Sequence, residues 1–276
     1  MKIMTINTHS LAEDNYEEKL LGFVRTVIKE KPEIIAMQEV NQTCSAAPFN
    51  ADELSGMFPC KEGLTVRADN HAACVVKLLK QKGINYYWTW LPVKIGYGKY
   101  DEGLALMSLS PITETDTYLI SSSDDYNNWK TRRVLGIKTD KTKEDWFYTV
   151  HMGWWNDEEE PFASQWKRLS SHFENQKRVW LMGDFNSRAD VKNEGYDLIR
   201  SIGWTDTYMT AKKKDSGFTV EKAIDGWRDK DAEKMRIDYI MCNRETEVES
   251  SEVIFNGMNG PVISDHYGIV VTYKQE

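Results

Sequence analysis

Nothing in this chain reads as an address, an anchor or a staple. The opening MKIMTINTHS holds one lysine and a short apolar stretch that breaks at Asn7, too little for a signal peptide and without a small-residue cleavage site. No later run approaches the roughly 20 apolar residues of a membrane span. The four cysteines among 276 residues, Cys44, Cys60, Cys74 and Cys242, show no CxxC and no zinc-type spacing. A disulfide scaffold and a zinc ribbon are therefore not expected, and reduced thiols in a cytoplasmic protein are. Internal repeats, low-complexity tracts and Pro/Gly/Ser linkers are also missing, so residues 1–276 are expected to form a single domain. An excess of positive charge is lacking too: 35 Lys and Arg against 43 Asp and Glu leave a net charge of −8. That disfavours a long polyanionic partner, whose binding rests on Lys and Arg, but does not exclude nucleic acid, since a local basic groove can coexist with an acidic total.

What is present is an ordinary soluble composition, 41% hydrophobic and 28% charged, with ten tryptophans. This suffices for a substantial core. Lys2 to Ile6 reads as a strand that delivers Asn7 to a loop. From Tyr16 to Lys31, Leu20, Val24, Val27 and Ile28 line one face of a helix that Pro32 ends. Glu33 to Gln38 is a second apolar strand ending in Glu39. Strand, helix, strand in this order predicts a βαβ unit with Asn7 and Glu39 at the same carboxyl edge of a sheet, where ligands bind in open α/β folds. Tyr86 to Val93, Leu104 to Leu109, Val134 to Thr139, Trp146 to Val150, Val179 to Met182, Ile237 to Cys242 and Ile269 to Tyr273 read as further strands, with a helix over Phe162 to Asn175. The arrangement predicts an α/β sandwich of two mixed sheets with helices outside.

Polar residues recur at the expected strand ends: Asn7, Glu39, Glu102, His151, Asp184 with Asn186, Asp238, and Asp265 with His266. Any one of them alone is more readily a turn former or a satisfied structural group. Together and in order they sit in IxTxNT (Ile3 to Thr8), IIAMQEV (Ile34 to Val40), EGLALMS (Glu102 to Ser108), VH (Val150, His151), GDFNS (Gly183 to Ser187), RIDYIM (Arg236 to Met241) and SDHYGI (Ser264 to Ile269). This set resembles the endonuclease/exonuclease/phosphatase superfamily along essentially the whole chain, with GDFN and SDH the most specific parts. The resemblance implies a four-layer α/β sandwich of the deoxyribonuclease I type, two mixed β-sheets packed face to face with helices on the outside. It also implies phosphate ester hydrolysis dependent on Mg²⁺, with Mn²⁺ a possible substitute.

By the same resemblance Glu39 ligates the metal and Asp265 supplies a second oxygen, while Asn7 and Asn186 hold phosphate oxygens or the water. Asp184 orients and deprotonates the attacking water. His266, braced by Asp238, serves the phosphoryl group, and His151 with Glu102 resembles the second histidine–carboxylate pair of the deoxyribonuclease branch. Such bracing raises a histidine's proton affinity, so both imidazoles are expected to be cationic near neutral pH. With no Ser or Cys nucleophile motif, direct attack by water is expected.

Several features stay open in the sequence. Arg132 or Arg133 reaches a substrate phosphate, or both belong to a solvated strand start. Lys212 to Lys214 is read as a solvated loop, and His9 as a supporting residue near the site. Cys44 to Gly63 is an irregular insertion that walls the pocket or runs over the surface. NTHS, QEVNQ and above all HMGWWNDEEEPFASQW (His151 to Trp166) resemble the small bacterial branch that contains maltose 6'-phosphate phosphatase. Trp154 and Trp155 could then pack on a pyranose while Asp157 to Glu160 accept sugar hydroxyls; the alternative is a core tryptophan and an acidic helix start. The expected partner is a small phosphorylated substrate, a sugar phosphate first, with a nuclease or other phosphodiesterase and a non-catalytic binding protein as alternatives. Oligomeric state is not readable.

Overall fold

The computed structural model describes residues 1–173, 178–221, 224, 227 and 234–275. In chain order its elements are β1 (Lys2–Asn7), α1 (Tyr16–Glu30), β2 (Ile34–Thr43), α2 (His71–Gln81), β3 (Tyr87–Gly96), β4 (Tyr100–Ser108), β5 (Ile112–Leu119), β6 (Arg133–Thr139) and β7 (Asp145–His151). There follow α3 (Phe162–His172), β8 (Arg178–Asp184), α4 (Gly195–Ser201), β9 (Thr205–Asp206), α5 (Thr207–Thr210), β10 (Lys213–Lys214), β11 (Asp238–Cys242), β12 (Val248–Ile254) and β13 (Gly268–Tyr273). Helix α3 begins where expected; the part of that expectation covering Asn175 lies outside the described residues. No described helix is long and apolar enough to cross a membrane.

The strands form two mixed sheets, one ordered β10-β12-β13-β1-β2-β4-β3 and the other β5-β6-β7-β8-β11-β9. The expected βαβ unit is present: β1 and β2 are parallel, with Asn7 opposite Gln38. Strand alternation then sorts side chains into layers, because successive residues point to opposite faces. On β8, Trp180 and Met182 meet Ile3, Ile34, Leu106 and Phe147 between the sheets, while Val179 and Leu181 turn outward against Phe162, Trp166 and Leu169 of α3. On the far side, Met4, Ile35, Met37 and Met107 pack beneath Leu20, Phe23, Val24 and Val27 of α1 and Val75 and Leu79 of α2. Helices, sheet, sheet, helices make the expected four-layer sandwich.

The Cys44 to Gly63 segment sends Phe49, Leu54 and Met57 onto the core under α1 and α2, so it covers that core instead of walling a pocket. Lys212 to Lys214, expected as a solvated loop, is exposed as expected, but Lys213 and Lys214 form a short strand at the sheet edge.

Between the sheets, below the edge where the motifs gather, lies a small polar tie. Gln38 Nε2 donates to Thr149 Oγ1 (2.8 Å), and Thr149 Oγ1 donates back across the gap to Met37 O (3.1 Å). All three residues are fully buried, so these bonds connect one sheet to the other at a single register.

Candidate active site

The second sheet builds one half of the site by register. Strands β7 and β8 run parallel with His151 opposite Asp184, and β8 and β11 run antiparallel with Asp184 opposite Asp238. Three neighbouring strand ends therefore present His151, Asp184 and Asp238 side by side. Gly183 makes this possible: a Cβ there would sit 2.1 Å from Val150 O and 2.9 Å from Gln38 Nε2. The loop before β13 brings His266 over the row, its Nδ1 3.0 Å from Asp238 Oδ2. His266 Nε2 and His151 Nε2 each lie 3.7 Å from Asp184 Oδ2. Ser264 fastens this loop to the first sheet, its Oγ donating to Asn7 O (2.8 Å).

The first sheet supplies the other half. Asn7 ends β1 as expected, and its Nδ2 bridges the sheets by donating to Glu39 Oε1 (2.9 Å) and Asp184 Oδ2 (3.2 Å). Glu39 does not end its strand. Strand β2 runs on to Thr43, and the register with β4 slips between Met37 and Val40, so Glu39 sits in a bulge with φ 50°. A bulge re-aims a side chain that the pleat would otherwise send elsewhere. Ser10 Oγ (2.7 Å) and Thr8 Oγ1 (3.2 Å) hold it by donating to Glu39 O. Asn186 is placed as expected: its backbone N–H donates to Asp184 Oδ1 (2.8 Å), its Nδ2 to Met152 O (3.0 Å), and its Oδ1 accepts from Trp227 Nε1 (3.1 Å).

Of these groups Glu39, His151, Asp184, Asn186 and His266 line a cavity of about 460 Å³, whereas Asn7, expected to hold phosphate or water, spends its Nδ2 on Glu39 and Asp184 and is not on the cavity surface, nor is Asp238. Asp265, Lys94 and Arg132 line the cavity too, with Tyr97, Trp129 and Trp154. In two adjacent pairs, one member turns in and the other out. Arg132 lines the cavity, whereas Arg133 pairs with the exposed Asp124. Trp154 lines it, whereas Trp155 packs against Phe162 in the core beneath α3 (centroids 6.2 Å). The acidic run is likewise structural. Glu160 accepts from the backbone N–H of Ser122 (2.7 Å) and Ser123 (3.0 Å), and Asp157 pairs with Lys130 (2.9 Å).

The expected Glu102–His151 pair does not form. Glu102 lies within β4 and its carboxylate is 3.1 Å from Lys94 Nζ, and no hydrogen bond or ion pair joins it to His151. His151 is therefore not cationic: burial first, then Arg132, Lys94 and His266, push its pKa well below the ordinary value. His266 behaves oppositely. Burial alone would depress it, but Asp238 and Asp184 outweigh burial and hold it well above the ordinary value. Burial raises Asp184 to about 7, with Asp238 adding to the rise and His266 opposing it. Glu39 is raised by burial and by the nearby charges of Glu102 and Asp265.

That mutual repulsion tests the site for a metal. Glu13 is occupied by His9 (2.7 Å) and Lys19, and Asp238 by His266, which leaves Glu39 as a cavity-lining carboxylate without an ion pair to any described residue and Asp265 with only the more distant His9 Nδ1 (3.9 Å). A few carboxylate oxygens with room for water suit a hard divalent ion such as Mg²⁺. Lys94, Tyr97 and Trp129 were not legible as cavity residues, and His9, expected as a supporting residue near the site, itself lines the cavity. His9 lies in reach of the site through Glu13, which also accepts from Asp265 N (3.1 Å), and through Tyr97 Oη, 2.9 Å from His9 Nε2.

Two face-to-face mixed sheets, with carboxylates, amides and imidazoles gathered at one edge, define a deoxyribonuclease I-like protein. A sequence model of the Endonuclease/Exonuclease/phosphatase family matches residues 4–266, and the chain belongs to that family, whose members are hydrolases acting on phosphate esters. An endonuclease/exonuclease/phosphatase family protein from Leptotrichia buccalis C-1013-b is 35% identical with a TM-score of 0.87, each chain covered in full. A mannosyl-6-phosphatase of Bacteroides thetaiotaomicron (14% identity, TM-score 0.66) and a 3' phosphatase of Neisseria bound to a product DNA hairpin (17%, 0.62) share the fold, again over both whole chains. Comparison with curated proteins gave no match.

Proposed function

We propose that residues 1–276 act as one domain, a divalent-metal-dependent phosphomonoesterase that hydrolyses a sugar phosphate, with maltose 6'-phosphate the first substrate to test. The observation that carries this reading is the cavity. Its roughly 460 Å³ suits one small ligand, and Trp129 and Trp154 line it together with carboxylates and imidazoles. An indole face packs on a pyranose ring, and the phosphate end then meets the cluster. Two of the structural neighbours are named as phosphatases, one of them a mannosyl-6-phosphatase. Four free cysteines suit a cytoplasmic setting.

Glu39 and Asp265 would hold Mg²⁺, or Mn²⁺ in its place, and when bound the ion neutralises charge on the phosphoryl oxygens. The chain supplies the rest. Asp184, poised at about 7, accepts the proton of the attacking water near neutral pH. His266, kept as an imidazolium by Asp238, donates to a phosphoryl oxygen as charge builds there. Asn7 holds Glu39 and Asp184 in one geometry, and Asn186 fixes the second oxygen of Asp184. His151, neutral beside Asp184, offers a hydrogen bond without adding charge.

The test is inorganic phosphate release from a panel of phosphosugars with Mg²⁺ and with a chelator. Magnesium-dependent release from at least one hexose or disaccharide phosphate is expected. No release across the panel, together with cleavage of plasmid or abasic-site DNA at low enzyme concentration, would replace this reading with a nuclease.

A further inference from the structure

The cavity that holds the expected metal carboxylates also carries two buried cations, Lys94 (7% exposed) and Arg132 (3%). Neither was needed to describe the reaction above. Lys94 Nζ is 3.1 Å from Glu102 Oε1 and donates to Trp129 O (2.9 Å). Arg132 Nη1 donates to the same carbonyl (2.8 Å) and to Thr131 O (3.2 Å). The other edge of the guanidinium is unused. Its Nε is buried without a partner, and Nη2 makes no hydrogen bond with a described residue. Nε is closed off as well as unpartnered, so Nη2 is the atom left to donate to an oxyanion in the cavity.

The pairing of these two cations is uneven. Glu102 pairs with Lys94, whereas Arg132 makes no ion pair with a described residue and is balanced only through space, chiefly by Glu102, Asp184 and Glu39. Glu102 is committed to Lys94 by packing as well as by charge, since a Cβ at Gly96 would lie 2.5 Å from Glu102 Oε2 and glycine leaves that space open. Two buried cations lining a cavity whose carboxylates a divalent metal would neutralise suit an anion carrying more charge than the metal alone would offset.

We propose that Lys94 and Arg132 read the second negative charge of a terminal phosphate, so that this site prefers a phosphomonoester dianion to a phosphodiester. The inference rests on the reading of this cavity as the site of phosphate ester hydrolysis. A monoester carries about −1.5 to −2 near pH 7. A diester carries one charge because a second oxygen is capped by carbon, which would leave the Arg132 donor unpaired and desolvated. Discrimination of this kind comes from the group left unsatisfied by the wrong substrate.

The experiment compares p-nitrophenyl phosphate with bis(p-nitrophenyl) phosphate, which share a leaving group, on the full chain with Mg²⁺. Arg132→Gln is expected to lower kcat/KM for the monoester roughly 30-fold more than for the diester, the usual weight of a hydrogen bond to a charged group. The inhibition constant for inorganic phosphate should rise by a similar factor. A double variant, Lys94→Met with Glu102→Gln, removes a cation with its counter-charge and should shift the same ratio in the same direction. Arg132→Lys keeps the charge but loses the Nη2 donor, and gives a reading if the glutamine variant fails to fold; it should weaken phosphate inhibition. Equal losses on both esters with unchanged phosphate inhibition, in variants that melt like the parent, would overturn the proposal and leave the two cations as a brace for the Trp129 loop. A parent enzyme that cleaves diesters and no monoester would instead overturn the phosphomonoesterase reading itself.

Discussion

Asp238→Asn isolates the brace on His266 with little change in shape. Asp238 Oδ2 accepts from His266 Nδ1 at 3.0 Å, both residues are buried, and Asp238 Oδ1 has no partner that an amide would displace. At an effective dielectric of about 20, opposite charges some 4 Å apart attract by about 4 kcal/mol, against a burial term that disfavours the imidazolium. Without that attraction burial regains ground and His266 gives up its proton at lower pH. Loss of a protonated donor costs about 10² to 10⁴ in rate, so kcat/KM at neutral pH should fall within that range. The deficit should depend on pH in one direction. The acid form of His266 is the working form, so parent activity declines as pH rises through its elevated pKa, and the variant declines earlier. Stability follows the same sign: the pair contributes fully below the unfolded value near 6.5, and its contribution is lost as pH rises through the folded one. Initial rates and thermal melts across the acid to alkaline range provide the assay. Parent-like activity at neutral pH, or the same fold loss at every pH, would refute the role given to the brace.

Three further outcomes are expected. In the metal-free protein, Asp184 at about 7 and the raised Glu39 bind protons more tightly folded than unfolded; stability should therefore fall as pH rises from the ordinary carboxylate range near 4 toward 7, and Mg²⁺ should raise the melting temperature more at alkaline than at acid pH. Glu39→Gln should cut magnesium-dependent turnover by about 10³ or more while leaving the metal-free melting temperature equal or higher, since a repelled carboxylate has been removed; turnover like the parent's would remove Glu39 from the metal site. The two outward-facing neighbours supply a contrast: Arg133→Ala should change neither activity nor stability beyond about 0.5 kcal/mol, whereas Trp155→Ala should cost about 2 kcal/mol of stability, read by denaturant titration, with KM unchanged.

Much of the fold was legible because its apolar periods are long and uninterrupted, as in Val179 to Met182 and in the face of α1. Helix α2 was equally available, with Ala72, Val75, Val76 and Leu79 at helical spacing and an Asn70 cap whose side chain accepts from Ala73 N (3.1 Å), yet the sequence reading omits it. The residues of GDFN and SDH were placed correctly because strand ends at one sheet edge converge whatever the details. Harder were positions set by partners distant in sequence. QEV reads as plain strand; the left-handed Glu39 is imposed by hydroxyls of Thr8 and Ser10 from the preceding strand's end. Lys94 looks like a solvent-facing residue of Val-Lys-Ile, and only the pairing of β3 with β4, Lys94 opposite Glu102, reveals it as buried. In Arg132-Arg133 and Trp154-Trp155 composition is identical at both positions, and the backbone direction alone decides which side chain faces the cavity.

The polar tie of Gln38, Thr149 and the Met37 carbonyl has a consequence for how the molecule fails. Asn7 and Glu39 ride on one sheet, and His151, Asp184 and Asp238 on the other. Between those sheets the core is mostly apolar and carries no directional bonds, while the tie accepts one alignment. A displacement by a single strand residue, about 3.3 Å, would part Asn7 from Asp184 while leaving every strand hydrogen-bonded to its neighbours. Activity therefore measures the phase of one sheet against the other. Weakening the tie, as in Gln38→Leu with Thr149→Val, should yield a population with normal secondary structure and poor turnover, damaged in its alignment and not in its folding.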